Sequence, residues 1–380
     1  MNLIEEFKKG QSGGNKGLPM GEGLANISKA VNGVQKGRMY GFAGASKSGK
    51  STVVDYAMVL EPFLYSILSE NKTNTKWIYF SFELNRISKE FDFATFFLYH
   101  DFGIEKIQLE EGITYTTKNH TSNIIDLSPD YLRGRLQDDN GDTIKVKQEI
   151  QEALKVVYEN RIIPLFGEYD AYGNQIKKGL ITFVTNKDNP TGIYKYLLDY
   201  ARNRGAFVND SKTANRITSY IPNDEDEHII VIVDHMRKIL LERGFQMKQA
   251  VDKMSEYLCD IRDWCNYTVV PIIHTNRDIT SIDNIRFAKD ELYPTSEHLK
   301  DTGNIAEDCD YLFTIFNPND EKYKLEKHFG LSIRDSKGNP IYPNMRTLHL
   351  VESRHCIFPQ HFRTEMLGNL KSFKQINIKN

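Results

Sequence analysis

The stretch Gly44–Ser51 reads GASKSGKS and matches the phosphate-loop pattern G-x-x-x-x-G-K-[ST] at every fixed position. It is preceded by the apolar run Arg38–Ala43, which is typical of a strand. It is followed by Thr52–Leu60, in which apolar residues recur at helical spacing. A strand, a glycine loop and a helix in this order are the context that the motif requires, and a chance glycine–serine turn would lack it. The sequence therefore predicts a site for a nucleoside triphosphate.

Each residue type in this loop has a chemical reason. Gly44 and Gly49 let the backbone turn its N–H groups inward around an anion, and the following helix adds its positive N-terminal end. Lys50 is expected to reach the β- and γ-phosphates, and the Ser51 hydroxyl is expected to hold Mg²⁺. The residues predicted to bind the nucleotide are Gly44, Ala45, Ser46, Lys47, Ser48, Gly49, Lys50, Ser51 and Thr52.

The composition is that of an ordinary globular chain. It has 380 residues, of which 40% are apolar and 26% charged, with a net charge of −2. The surface as a whole is therefore not a basic nucleic-acid footprint, although a ring would need only a few basic residues from each subunit. The four cysteines have neither C-x-x-C nor zinc spacing, and no signal peptide is visible. No apolar run approaches the ~20 residues of a membrane helix. We expect a cytoplasmic protein with no membrane partner.

Alternating strand and helix patterns predict the fold class. The continuous apolar run Ile229–Val233 suits a central strand that is covered on both faces. The order of elements predicts an α/β fold with a mainly parallel, doubly wound sheet. Strands are expected at Trp77–Phe82, Ile162–Phe166, Leu180–Val184, Ile229–Val233, Thr268–Ile273, Tyr311–Phe316 and Thr347–Val351, and helices at Val146–Tyr158, Ile193–Ala201 and Lys248–Tyr267.

Changes of pattern along the chain predict its domain organisation. Residues 1–16 read either as a frayed terminus or as an arm that docks on a neighbouring subunit. Residues 17–366 are expected to form one ATPase domain, with an inserted α+β segment at 107–160. Residues 367–380 are expected to be a C-terminal tail.

Three predicted strands end in residues that could serve a triphosphate, because ligands of open α/β sheets bind at the carboxyl ends of strands. Asp234 follows an apolar strand and is predicted to hold Mg²⁺, directly or through water. Glu83 either orients or deprotonates the attacking water, or it stabilises the first turn of the next helix. His274 is either a sensor of the γ-phosphate or a satisfied structural histidine.

These segments, in their order, resemble blocks of the DnaB-like hexameric helicases. SFEL (Ser81–Leu84), VDH (Val233–His235) and HTNR (His274–Arg277) are similar to that family's S-L-E-M, I-D-Y and S-Q-L-N-R. LKDTGNIAEDCD (Leu299–Asp310) is similar to its D-L-R-x-S-G-x-I-E-Q-D-A-D. The leader Gly33–Gly37 also resembles the family's entry into the phosphate loop. The resemblance covers residues 17–106 and 162–357 and is to phage-type members, which would place the protein in a host cytoplasm.

The resemblance implies a RecA-like core that hydrolyses ATP with Mg²⁺ in a homo-hexameric ring and moves along single-stranded DNA during DNA replication. It assigns Glu83 as the catalytic carboxylate and His274 as the sensor, beside Lys50 and Ser51 at the phosphates and Asp234 at the metal. In these rings, an arginine after the last core strand completes the neighbour's site.

Arg354 occupies the position of that arginine. The chain departs from the family around it. Glu352 stands where lysine is usual, and Cys356–Pro359 replaces the usual glycines, which makes Arg363 a second candidate for the trans arginine. The N-terminal primase-interacting domain of bacterial members is not expected here, so a primase or a loader would engage differently or through a partner. These departures also keep an ATP-binding regulator with weak hydrolysis open as an alternative.

In a RecA-type ring, the loops after the Asp234 and His274 strands face the channel. Basic groups there could follow the phosphates of single-stranded DNA without reading its sequence. A solvated charged loop is the alternative for each of them, and a RecA-like recombinase or repair filament is the alternative for the whole protein. The residues predicted to contact DNA are Lys248, Arg277, Arg286 and Lys289.

Overall fold

The computed structural model describes residue 4 and residues 16–68, 73–117, 120–210, 217–276, 279, 281, 285, 288–299, 304–323 and 325–376. The chain divides into two compact units. The first unit contains residues 1–83, 186–366 and 373–380, and the second contains residues 84–185 and 367–372. The second unit extends beyond 107–160 on both sides, so its limits differ from those expected for the insertion.

A sheet forms the centre of the first unit. Its strands are β1 (Tyr40–Gly44), β2 (Thr75–Ser81), β3 (His228–Asp234), β4 (Thr268–His274), β5 (Tyr311–Phe316), β6 (Met345–Ser353), β7 (Gln360–Leu367) and β8 (Ser372–Gln375). They lie side by side in the order β8-β7-β6-β5-β1-β4-β3-β2.

The five strands from β5 to β2 are parallel, whereas β6 pairs antiparallel with β5 and β7 antiparallel with β6. All seven residues of β3 are buried, as the apolar run predicts for a strand with both faces covered. The mainly parallel α/β sheet predicted from the sequence is therefore confirmed.

Helices of the first unit connect these strands. A long helical segment follows the phosphate loop, with a π-helical stretch at its middle. Gln246 and Gln249 form a reciprocal capping box at the start of Met247–Cys265, and left-handed Asn266 ends that helix. The helices are Ala25–Val31, Lys50–Val54 continued by Asp55–Leu60 and Glu61–Ile67, Pro190–Arg202, Met247–Cys265 and Ile305–Asp308; 3-10 turns lie at Glu22–Leu24, Met236–Lys238, Lys289–Glu291 and Ser296–His298. Antiparallel hairpins lie at Gly205–Asn209 with Ile217–Pro222 and at Lys327–His328 with Leu331–Ser332.

The second unit contains helices and short antiparallel hairpins. Asn85 caps its longest helix by accepting the Ser88 N–H, and left-handed Gly103 ends it. The helices are Arg86–Phe102, Pro129–Leu132, Gln148–Val157 continued by π-helical Tyr158–Ile162, and Ile163–Phe166, with a 3-10 turn at Gly368–Leu370. The paired strands are Lys106–Gln108 with Ile124–Asp126, Tyr115–Thr117 with His120–Ser122, and Gly167–Tyr169 with Gln175–Lys178; a further strand is Ile181–Val184.

The strand prediction for Ile162–Phe166 is wrong, because this segment is helical. A short apolar run cannot be told from the buried face of a helix by periodicity alone. Here the run continues the buried side of Gln148–Val157, which includes Ile150 and Val157. Among the described residues, no helix has both the length and the apolar character needed to cross a bilayer.

Candidate nucleotide-binding site

The strand register brings the predicted site residues to one edge of the sheet. Gly44 pairs with His274, and Asp234 pairs with Ser81, so all four lie where their parallel strands end. The Phe82 N–H donates to the Asp234 carbonyl over 2.9 Å, which keeps the chain after β2 beside β3. The carboxyl ends of β1, β2, β3 and β4 therefore surround the phosphate loop, as expected for a ligand site in a parallel sheet.

The phosphate loop has the backbone that an anion nest requires. A Cβ added at Gly44 would lie 2.5 Å from Ser48 Oγ, so the loop closes too tightly for a side chain there. Gly49 has a φ of 101°, in the region that glycine favours. The helix begins directly after it at Lys50 and directs its first N–H groups toward the loop.

Two buried hydroxyls at the loop fit a polar ligand. Ser48 Oγ and Thr275 Oγ1 have no hydrogen-bond partner among the described residues. The Thr275 N–H donates to the Gly44 carbonyl over 3.1 Å, so this second hydroxyl lies at the start of the loop. Buried hydroxyls without partners are costly and need an explanation. The phosphate oxygens of a nucleotide would supply acceptors for both.

Lys50 is buried, with 7% of its surface exposed, and its Nζ donates to the Ala45 carbonyl over 2.7 Å. Burial lowers the pKa of Lys50 to about 8, although Asp234 and Glu83 oppose this shift by favouring the charged form. The loop therefore encloses a cation that is poorly solvated and has carboxylates nearby. Such a group favours a multiply charged anion.

Ser51 and Asp234 form the predicted metal pair. Ser51 Oγ donates to Asp234 Oδ1 over 3.2 Å. The Tyr79 hydroxyl lies 3.3 Å from Asp234 Oδ2 and 2.9 Å from Asp55 Oδ1, so the carboxylate is held from behind. The described residues contain no cluster of three or more His, Cys, Asp or Glu that could hold a metal by itself. A hydroxyl and one carboxylate fit Mg²⁺, which keeps water and phosphate oxygens as its other ligands.

Glu83 lies at the same edge but is half exposed. Its Oε1 is 3.3 Å from His235 Nε2 and 3.4 Å from Lys238 Nζ. Burial alone would raise the pKa of Glu83, but His235 and Lys238 outweigh it and hold the pKa below its ordinary value. The carboxylate is therefore ionised at neutral pH.

His274 contacts His235 edge to face, with ring centroids 4.2 Å apart. Burial, and after it the charge of Lys50, lowers the pKa of His274 to about 3. Burial also lowers the pKa of His235. Both rings are therefore neutral at physiological pH, and each has one N–H to donate.

Arg354 lies at the opposite end of the sheet from its own phosphate loop. Ser353 pairs with Tyr311, the first residue of β5, and the Arg354 N–H donates to the Asp310 carbonyl over 3.1 Å. The phosphate loop instead follows Gly44 at the other end of β1. The Arg354 guanidinium is exposed and donates to the Glu307 carbonyl. Within one chain, Arg354 cannot reach Lys50.

The residues around Arg354 are engaged within their own chain. Glu352 accepts a hydrogen bond from Ser296 Oγ over 2.7 Å. Arg363, the second candidate for a trans arginine, donates to the Phe329 carbonyl over 2.5 Å. Of the two arginines, Arg354 has the more exposed side chain.

The predicted DNA contacts are only partly described. Lys248 is exposed in the first turn of Met247–Cys265, and Lys289 is exposed in the 3-10 turn Lys289–Glu291. Arg277 and Arg286 lie outside the described residues, as do residues 300–303 of the block at Leu299–Asp310.

Sequence reasoning missed three residues at this edge. Tyr79 is a buried strand residue with no motif signal, and His235 appears only as part of the VDH block. Arg346, the second residue of β6, donates from Nε to the Ser48 carbonyl over 3.2 Å. Only the antiparallel return of β6 beside β5 places this arginine at the loop.

Fold and site together define a phosphate-loop ATPase fold of the RecA-like class. The structure is similar to the ATPase domain of a phage helicase, with a TM-score of 0.61 at 10% identity, over 99% of this chain and 97% of that one. It is also similar to a DnaB-like replicative helicase described with its interactions with primase, with a TM-score of 0.60 at 10% identity, over 99% of this chain and 66% of that one. No protein-family model and no curated protein matches the sequence. The chain thus has the fold of the ATPase domain of DnaB-like helicases, as its motifs predicted.

Proposed function

We propose that this chain is the ATP-hydrolysing motor of a DnaB-like DNA helicase that moves along single-stranded DNA during replication. One observation carries the proposal. In the fold of a helicase ATPase domain, Lys50, Ser51, Asp234 and Glu83 converge at the carboxyl ends of parallel strands. Fold alone would not support an activity, but this set of residues matches the parts that phosphoryl transfer needs.

The residues of one chain would bind the nucleotide and activate water. The backbone of Gly44–Ser51 and the Lys50 ammonium would hold the phosphates, and Ser51 with Asp234 would hold Mg²⁺. When bound, Mg²⁺ neutralises charge on the β- and γ-phosphates. The ionised Glu83 would orient the attacking water and accept its proton. The neutral His274 would donate an N–H to the γ-phosphate.

Arg354 would complete the site of the neighbouring subunit. Its exposed side chain lies at the end of the sheet opposite its own loop, so any contact with a nucleotide has to be made in trans. An arginine supplied in this way stabilises the charge of the transition state. This requirement supports a homo-oligomeric ring, for which six subunits are proposed by resemblance.

The partners proposed for this ring are single-stranded DNA and a primase or a loader. Lys248 and Lys289 are the described candidates for DNA phosphates, with Arg277 and Arg286 beside them in the sequence. The primase proposal rests on the similar helicase whose structure was described with its interactions with primase.

The test is ATP turnover with and without single-stranded DNA, together with separation of a forked duplex. We expect DNA to stimulate turnover and the fork to be separated, and we expect Lys50→Ala to abolish both because the β- and γ-phosphates lose their cation. Lys195→Ala, at an exposed helix position, is the matched control and should behave as wild type.

Other outcomes would favour other functions. Turnover in saturating DNA that equals that of Lys50→Ala would favour an ATP-binding regulator. Helical filaments on DNA with no fork separation would favour a recombinase. Hydrolysis that ignores DNA and leaves the fork intact would contradict the helicase proposal.

A further inference from the structure

Arg346 contacts the phosphate loop from the side of β6. Its Nε donates to the Ser48 carbonyl over 3.2 Å. Its Nη1 donates to Asn317 Oδ1 over 3.2 Å and to the Met345 carbonyl over 2.8 Å. These bonds fix the plane of the guanidinium, so the bond to Ser48 comes from a side chain that is itself held in place.

The carbonyl of Ser48 belongs to the same planar peptide unit as the N–H of Gly49. In a trans peptide the C=O and N–H point in opposite directions. A donor that holds the Ser48 carbonyl on the β6 side therefore turns the Gly49 N–H away from β6, toward the interior of the loop. A charged donor on the carbonyl also polarises that N–H, which makes it a better donor to an anion.

The other side of Gly49 is closed as well. A Cβ added at Gly49 would lie 2.5 Å from Met366 Sδ, near the end of β7. The peptide between Ser48 and Gly49 is thus held by Arg346 from β6 and packed by Met366 from β7. The rest of the phosphate loop is anchored by β1 and by the helix that begins at Lys50.

We propose that Arg346 is a positioning residue for nucleotide binding in its own subunit, acting through the Ser48–Gly49 peptide. The inference rests on the proposed function of Gly44–Ser51 as a triphosphate site. Arg346 is distinct from Arg354, which lies at the far end of the same strand and is proposed to act on the neighbour.

The test compares Arg346→Met and Arg346→Lys with wild type by two measurements. Hydrogen exchange of the nucleotide-free protein reports the loop directly, and titration with a fluorescent ATP analogue gives the Kd. Arg334→Met is the matched control, because Arg334 also donates to backbone carbonyls, those of Leu325 and Gly338.

For Arg346→Met we expect faster exchange at Gly44–Ser51 and a Kd raised about tenfold or more, as for the loss of a hydrogen bond from a charged donor. Arg346→Lys keeps a cation that can reach the carbonyl and should show a smaller rise. The control should leave exchange at the loop and the Kd unchanged. A merely structural role would reduce the binding-competent fraction without changing the Kd of the remainder.

Unchanged exchange at Gly44–Ser51 in Arg346→Met would overturn the inference. So would an equal rise in Kd for Arg346→Met and Arg334→Met. If wild type bound no nucleotide, the proposed function would fail, whereas exchange at the loop would still decide whether Arg346 positions it.

Discussion

Lys50 shows at the scale of one residue how the loop selects its ligand. The side chain is removed from water and donates to a backbone carbonyl, while Asp234 and Glu83 lie close enough to favour its charge. Desolvation is the larger effect, so the free protein holds a cation whose charged form is disfavoured. The phosphates of a nucleotide would reverse that balance.

The first prediction is a loss of nucleotide affinity at alkaline pH. The pKa of Lys50 is about 8 in the free protein and must rise when phosphates bind, so binding takes up a proton above that pH. The Kd should be nearly constant below pH 7.5 and should rise by up to about tenfold per unit above pH 8. Titrations between pH 7 and pH 9.5 measure this dependence. A Kd that falls as the pH rises would contradict the assignment.

The second prediction concerns the hydroxyl of Tyr79, which hydrogen-bonds the carboxylates of Asp234 and Asp55. Tyr79→Phe should lower the free energy of unfolding by about 1–3 kcal/mol, because buried acceptors lose a donor. It should also raise the Mg²⁺ concentration needed for half-maximal turnover, since Asp234 is held less firmly. Denaturant melts and Mg²⁺ titrations check the two effects. Tyr196→Phe, whose ring packs on Phe80, is the control; an unchanged Mg²⁺ requirement in Tyr79→Phe would refute the second effect.

At the scale of elements, β6 serves both ends of the sheet. Arg346 stands near its start, beside the phosphate loop, and Arg354 follows its end, beside the first residue of β5. At about 3.3 Å per residue, the two arginines are separated by about 26 Å. One strand therefore carries an arginine for its own site and another that is proposed for the next site.

The third prediction separates these two arginines. Arg354→Ala should lower turnover by about a thousandfold or more while leaving the Kd of ATP near that of wild type, because the trans arginine acts in the transition state. Arg346→Met should raise the Kd instead. Single-turnover kinetics and nucleotide titration measure the two effects. A change in Kd alone for Arg354→Ala would contradict its proposed role.

Most of the central sheet could be predicted from the sequence, because its strands are buried on both faces and read as apolar runs. Tyr311–Phe316 has the predicted bounds, and β3 and β4 begin or end within one residue of the prediction. The strand β7 was missed, although Phe362, Thr364 and Met366 alternate with more polar neighbours. Its interrupted apolar pattern gives a weaker signal than a continuous run.

The candidate site divides in the same way. Lys50, Ser51 and Asp234 could be predicted because phosphate chemistry fixes residue types at short spacing or at a strand end. Arg346 could not be predicted, because it reaches Ser48 only through the antiparallel pairing of β6 with β5. A contact between residues so far apart in sequence depends on sheet topology, which no local pattern encodes.

At the scale of the whole molecule, a single chain holds an incomplete site. Its own Arg354 lies away from its own loop, so the complete arrangement requires a second copy. The near-neutral net charge of −2 does not oppose the association of identical subunits.

The fourth prediction is that ATP and single-stranded DNA promote a closed ring. Mass photometry should then show a species at six times the 43.9 kDa of the chain. Lys50→Ala should weaken the response to ATP, because nucleotide binding is lost. A species that stays at the mass of one chain under all conditions would contradict the ring.

The most direct test of the shared site is to mix two inactive variants. Lys50→Ala retains Arg354, and Arg354→Ala retains Lys50, so a mixed ring contains interfaces with both residues intact. We predict that each variant alone is inactive and that DNA-stimulated ATP turnover reappears when the two are mixed and allowed to exchange subunits. Turnover that stays absent in rings proven to be mixed, or an Arg354→Ala variant as active as wild type, would contradict a site built from two subunits.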